Sequence, residues 1–128
     1  MKKHFIIIDD QDVFNILTKK VLENSGITDN ISMFNSASEA LNFIKKFDKP
    51  TDIVILLDIR MPVMDGFEFL NEMHSWNDYS YEKMKIFMLT SSLDEKDIQK
   101  ASKYKNVLGF YSKPLSPDII EKIGDFIE

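Results

Sequence analysis

The sequence predicts a doubly wound α/β domain, a parallel five-stranded sheet with helices on both faces. Three observations lead there. Short apolar runs rich in β-branched residues alternate five times with stretches of helical periodicity. The run "DIVILL" (52–57) is apolar without polar alternation, as expected of a strand buried on both faces. Polar residues stand at the ends of four of the five runs. Such alternation implies right-handed crossovers that return the chain to one sheet.

The elements follow in order. "HFIII" reads as the first strand. Val13, Phe14, Leu17, Val21 and Leu22 then recur at helical spacing until Gly26 offers a stop. "NISMFN" is a second, weaker strand. Ser36 and Glu39 have the spacing of a capping box ahead of Ala37, Ala40, Leu41 and Ile44, which share one helical face until "DKP" ends the run. "DIVILL" is closed by Asp58, and a short helix is expected around Phe67 and Leu70. The polar, aromatic segment "HSWNDYSYEK" is long for a connection in such a unit. "KIFMLT" is strand four, Ser92 and Glu95 are placed to cap a helix through about Tyr104, and "VLGFYS" is strand five. Ser116 as N-cap and Pro117 at the first helical position open a last helix carrying Ile119, Ile120, Ile123 and Ile127.

Composition sets the bounds. The 128 residues suit one domain spanning the whole chain, with no linker-like or repetitive segment. A formal charge of -5 without a basic stripe argues against a nucleic-acid partner, and nothing in the composition suggests a membrane span. The absence of cysteine removes disulfides and thiolate metal sites. The opening "MKKHFIII" is halted by Asp9 short of signal-peptide length, so a cytoplasmic location is expected.

Parallel strands align their ends, and ligands in such sheets bind beyond the carboxyl ends where strand order reverses. This chain places Asp9 and Asp10 after strand one, Asp58 after strand three, Thr90 after strand four and Lys113 after strand five. Two unit charges about 4 Å apart repel by roughly 4 kcal/mol at an effective dielectric near 20, so three clustered carboxylates require protons or a cation. An all-oxygen set suits a hard divalent ion, and magnesium is commonly held by one or two carboxylates together with phosphate oxygens. A carboxylate can be the nucleophile that accepts a phosphoryl group, with a lysine and a hydroxyl serving the transferred oxygens. Asp58, Lys113 and Thr90 fit those roles.

"DIRMPVMDG" (58–66), "DD" at 9 and 10, "LTSS" from Leu89 and "SKPL" from Ser112 together resemble the receiver domain of two-component response regulators, across essentially the whole chain. The resemblance implies a flavodoxin-like (βα)5 three-layer sandwich with strand order 2-1-3-4-5. It also implies that Asp58 takes phosphate from a phosphohistidine on a sensor histidine kinase or histidine phosphotransfer protein. Asp10 and Asp58 would ligate Mg2+ (or Mn2+) with the backbone carbonyl of Arg60, Asp9 helping directly or through water. Thr90 would turn toward the phosphate, Lys113 would pair with it, and Phe110 would swing inward on activation. Tyr111, on the opposite face of the strand by period-two alternation, is the other candidate for an aromatic that responds to the switch or meets a partner. A cis bond at Lys113-Pro114 is implied as well. In similar receivers the positions of Arg60 and Ser92 influence how fast the aspartyl phosphate hydrolyses. The domain is similar to chemotaxis-type regulators that consist of a receiver alone, so no output domain is expected. Output would be a surface meeting an unidentified protein target.

Each residue also has an ordinary explanation. Asp9, Asp10 and Asp58 could be turn or cap residues, Lys113 a solvated lysine, and Thr90 a strand-end hydroxyl with a local backbone partner. Their coincidence on one rim favours the site. His4 and His74 are read as structural, and Trp76, Tyr79 and Tyr81 as a surface loop rather than a docking patch. Two other functions compete: a receiver-shaped interaction module that needs no phosphorylation, and a magnesium-dependent phosphohydrolase. The second resembles haloacid-dehalogenase-like phosphatases, but Arg60 stands where their Asp-x-Asp pattern has its second acid.

Overall fold

Five parallel strands lie side by side in the order β2-β1-β3-β4-β5, the order expected. The computed structural model describes residues 3–47, 50–76 and 79–127. The strands are β1 (His4–Ile8), β2 (Asn30–Phe34), β3 (Ile53–Asp58), β4 (Lys85–Thr90) and β5 (Val107–Ser112). The helices are α1 (Asp12–Ser25), α2 (Ala37–Lys45), α3 (Gly66–His74), α4 (Glu95–Ala101) and α5 (Pro117–Ile127).

Alternation along each strand divides the core into two layers. Ile6 and Ile8 of β1, Ile55 and Leu57 of β3, and Ile86 and Met88 of β4 pack under α2, α3 and α4, joined by Leu41, Ile44, Phe67, Leu70 and Met73. Phe5, Ile7, Val54, Leu56, Phe87 and Leu89 point the other way, onto Leu22 of α1 and Ile120 and Ile123 of α5. All six residues of β3 are buried, which is why its sequence shows no alternation. Strand order reverses between β1 and β3, so the crevice of the sheet opens at Asp9 and Asp58.

Local signals set several boundaries. Gly26 ends α1 in the left-handed region at φ 73°. The Ser36 hydroxyl accepts from the Glu39 N–H at the start of α2, and the Ser116 hydroxyl accepts from the Ile119 N–H at the start of α5. The Asp48–Lys49 part of the stop expected after α2 lies outside the described residues.

Three expectations need correction. The inward face of α1 is Asn15, Thr18 and Leu22, whereas Val13 (67% exposed) and Leu17 (44%) face outward. The cap of α4 is Asp94, whose carboxylate accepts from the Lys96 N–H, and the helix ends at Ala101 rather than near Tyr104. Ser92 lies two residues before that cap, in the loop where its N–H donates to the Thr90 hydroxyl. The 74–83 segment is not simply a surface loop: Tyr79–Lys83 form a short 3-10 turn, and Trp76 and Tyr81 are partly buried against the main core. The Tyr79 side chain lies outside the described residues.

Candidate phosphoacceptor site

The strand ends bring Asp9, Asp10 and Asp58 together, with one carboxylate oxygen of each within 4.8 Å of the others. Asp9 follows the last residue of β1, and its N–H donates to the Phe34 carbonyl at 3.1 Å. Its Oδ1 accepts from the Gln11 N–H at 2.9 Å, satisfying a donor at the start of α1. Asn15 secures the same turn from below, its amide donating to the Asp9 carbonyl at 2.8 Å and the Phe34 carbonyl at 3.3 Å. Asp58 is the last residue of β3, and its Oδ1 accepts from the Ile59 N–H at 2.9 Å.

Lys113 reaches this cluster from the far end of the sequence. Its backbone N–H donates to the Thr90 carbonyl at 2.7 Å, which anchors the turn after β5 to the end of β4. Its ammonium lies 2.7 Å from Asp9 Oδ2 and 3.1 Å from Asp58 Oδ1, and its side chain is only 4% exposed. The Phe14 ring lies beneath it, with the centroid 4.4 Å from Nζ. Among the described residues Asp58 Oδ2 has no protein donor, so this oxygen remains available for chemistry.

One ammonium does not neutralise three carboxylates. The Asp58 carboxyl is pushed up to about 6 from its ordinary 3.8, first by burial and then by the charge of Asp9, with Lys113 opposing. A cluster whose oxygens are this close and this poor in protein donors fits a hard divalent cation bound through oxygen. Asp9, Asp10 and Asp58 are its candidate protein ligands, with the Arg60 carbonyl in the loop that follows.

The loop from β3 to α3 is pinned against the acceptor strand. The Gly66 N–H donates to the Ile59 carbonyl at 2.8 Å, and a Cβ at Gly66 would stand 2.6 Å from the Asp58 carbonyl oxygen. Asp65 and Glu68 form a reciprocal capping box there. That motif was readable from its Asp-x-x-Glu spacing, but the pair Asp65-Gly66 reads equally as turn chemistry. Val63, fully exposed, holds a left-handed φ of 70° in the same loop.

Thr90 is buried at the rim, but its hydroxyl donates to the Ser92 carbonyl at 3.1 Å and accepts from the Ser92 N–H. In this state the hydroxyl is turned to its own loop. Phe110 packs with the core layer under α4, and Tyr111 packs on the other layer against Phe87. The two aromatics therefore occupy opposite faces, as alternation predicts. The Lys113-Pro114 bond is cis. Arg60 points along the rim, and its guanidinium pairs with Asp97 of α4 at 2.6 Å; nothing in the sequence signalled that partner.

His4 and His74 are structural, as read. His4 bonds to the Ser32 hydroxyl at 2.8 Å and packs edge-on against Phe43 and Phe47. His74 packs against Tyr81 and Tyr104. Burial pushes both imidazoles below their ordinary value.

A doubly wound sheet with an acidic crevice and a buried lysine at its carboxyl edge defines a class of phosphoryl-handling α/β domains. The sequence matches the family model of the response regulator receiver domain over residues 5–124, and the chain belongs to that family. It is 27% identical to the chemotaxis protein CheY of Halobacterium salinarum, over 99% of this chain and 98% of that protein. It is 30% identical to sporulation initiation phosphotransferase F of Bacillus subtilis, over 94% of this chain and 89% of that protein. The crystal structure of a response regulator receiver protein from Dyadobacter fermentans superposes with a TM-score of 0.86 at 30% identity, covering 98% and 97% of the two chains. The chain is a CheY-like receiver domain, and the comparisons favour neither the phosphohydrolase nor the phosphorylation-independent module. Among the described residues no helix is long and apolar enough to cross a membrane.

Proposed function

We propose that Asp58 is the phosphoacceptor of a cytoplasmic receiver, taking its phosphoryl group from the phosphohistidine of a sensor histidine kinase or histidine phosphotransfer protein. The observation that carries this reading is the state of Asp58: one oxygen held by Lys113 and the Ile59 N–H, the other without a donor among the described residues, in a cluster short of positive charge.

Asp58 Oδ2 attacks phosphorus in line, the P–N bond to imidazole breaks, and its electron pair returns to the ring, which takes up a proton. Asp9, Asp10, Asp58 and the Arg60 carbonyl would hold Mg2+ (or Mn2+). When bound, that ion supplies charge neutralisation for the phosphoryl oxygens. Lys113 is placed to follow the transferred group, since its ammonium already bridges Asp9 and Asp58. Thr90 would exchange its turn at Ser92 for a hydrogen bond to a phosphoryl oxygen, drawing on the β4–α4 loop. Phe110 would then repack inward, with Tyr111 the alternative. Chemically the domain catalyses its own phosphorylation and dephosphorylation and turns over no external product as its task.

Charge-assisted contacts of this kind are strong enough to tilt an equilibrium between two surfaces. A shift from about 1:99 to 99:1 requires roughly 5.5 kcal/mol of differential stabilisation. The face formed by α4, β5 and α5 is the expected responder, and it would meet a protein target. A CheY-type role is supported by the match over nearly the full length of the CheY relative.

The test is intact mass after incubation with acetyl phosphate and Mg2+, beside Asp58→Asn and Mg2+-free controls. One phosphoryl group gained only when Asp58 and Mg2+ are both present is the expected result. No gain, together with no binding of beryllofluoride, would return the chain to the phosphorylation-independent reading.

A further inference from the structure

The most exposed cation of the acceptor loop is held by a carboxylate outside the site. Arg60 follows Asp58 by two residues, and its side chain is 66% exposed. Its Nη2 donates to Asp97 Oδ2 at 2.6 Å, and the Asp97 side chain, in the first turn of α4, is only 12% exposed. Among the described residues neither side chain has another polar side-chain partner. The dependence is unequal. A largely desolvated carboxylate needs its counter-ion, while the guanidinium is mostly in water and can be drawn elsewhere.

We propose that Asp97 is a positioning residue for the acceptor site: it holds the Arg60 guanidinium against α4, off the phosphoryl position, and so sets how long Asp58 stays phosphorylated. This rests on Asp58 being the phosphoacceptor.

Hydrolysis adds a water oxygen to phosphorus opposite the aspartyl oxygen. The P–O bond to Asp58 Oδ2 breaks with its electron pair returning to the carboxylate, and the water's proton leaves with phosphate or solvent. Lys113 and Asp9 close the buried side of Asp58, so water reaches phosphorus from the solvent side, where the exposed loop carrying Arg60 follows the acceptor. A guanidinium released from Asp97 matches two phosphoryl oxygens with parallel N–H groups, which an ammonium cannot do. Placed there it occupies the entry of water. Loss of the Asp97 carboxylate therefore lengthens the life of the phosphorylated domain, and it does so only through Arg60.

The experiment loads the full chain, Asp97→Ala, Arg60→Ala and the double variant with acetyl phosphate and Mg2+. The donor is then removed and the decay of the phosphorylated mass followed. Asp97→Asn, which keeps the shape, guards against loss of packing. The expected result is a half-life at least threefold longer in Asp97→Ala, a smaller lengthening in Asp97→Asn, and equal decay in Arg60→Ala and the double variant. Equal or faster decay in both Asp97 variants would overturn the proposal, as would a lengthening that persists without Arg60. Failure of every protein, the parent included, to take up a phosphoryl group would instead overturn the assignment of Asp58, and this inference with it.

Discussion

Replacing Asp58 by asparagine should stabilise the metal-free domain, although it removes the residue on which the proposed function depends. The Asp58 carboxyl titrates near 6 in the fold against an ordinary 3.8, a difference of about two pH units. At about 1.36 kcal/mol per unit, the ionised group is disfavoured by up to about 3 kcal/mol at pH 7.5. Its side chain is only 6% exposed, so solvent screening takes little from that figure. Asparagine keeps the shape and an acceptor for the Ile59 N–H while discarding the charge. The sign follows from counting protons. Between about pH 4 and 6 the folded chain holds more protons at this position than the unfolded chain, so stability falls as pH rises through that window. The variant's advantage is therefore full above pH 6 and gone near pH 4. For a domain of this size it amounts to roughly 10 °C in Tm at pH 7.5. Thermal unfolding followed by circular dichroism, in chelator at pH 7.5 and pH 4, measures both ends. An equal Tm difference at the two pH values would refute the electrostatic reasoning, and so would an asparagine variant less stable than the parent at pH 7.5. Mg2+ should raise the Tm of the parent and raise that of the variant far less.

Gly66→Ala should cost about 2 kcal/mol in urea unfolding, because its Cβ would meet the Asp58 carbonyl oxygen at 2.6 Å and backbone on both sides must give. Asn15→Ala should cost about 1–3 kcal/mol by removing the donor to the buried Asp9 carbonyl, and it should weaken Mg2+ binding measured by calorimetry. Val63→Asn should gain about 1 kcal/mol in the same unfolding assay, since asparagine tolerates the left-handed φ of 70° that a β-branched residue resists.

The sheet was legible because burial on both faces leaves a simple mark: after Asp52 the run from Ile53 to Leu57 contains no polar position to misplace, and β3 is buried throughout. Helix α1 was harder because hydrophobic periodicity assumes that polar residues face water. Here Asn15 turns inward to hold two carbonyls after β1 and β2, and Val13, Ile16 and Leu17 are displaced outward. The start of α4 was ambiguous for a different reason. Ser92 and Asp94 are both good caps in isolation, and local sequence does not separate them; in the fold Ser92 belongs to the Thr90 turn and Asp94 accepts from the Lys96 N–H.

The carboxylates could be read because parallel topology turns strand ends into a shared location, but their energetics could not. Lys113 meets Asp9 across 104 positions, and Arg60 meets Asp97 across 37. No local spacing encodes either pair. Both follow only once the sheet order is fixed, and they divide the positive charge of the rim. Lys113 is buried and bound to the carboxylates before any ligand arrives, whereas Arg60 is exposed and engaged elsewhere. The acidic crevice is therefore left with excess negative charge, which adds to the larger effect of burial in raising the Asp58 carboxyl and would weaken the fold if the two aliphatic layers beneath did not support it. On the proposed function, like charges stand together at the end of β1 because a cation and a phosphoryl group would complete the site. A fully neutralised rim would hold the fold more firmly and would have less reason to attract a cation and a phosphoryl group.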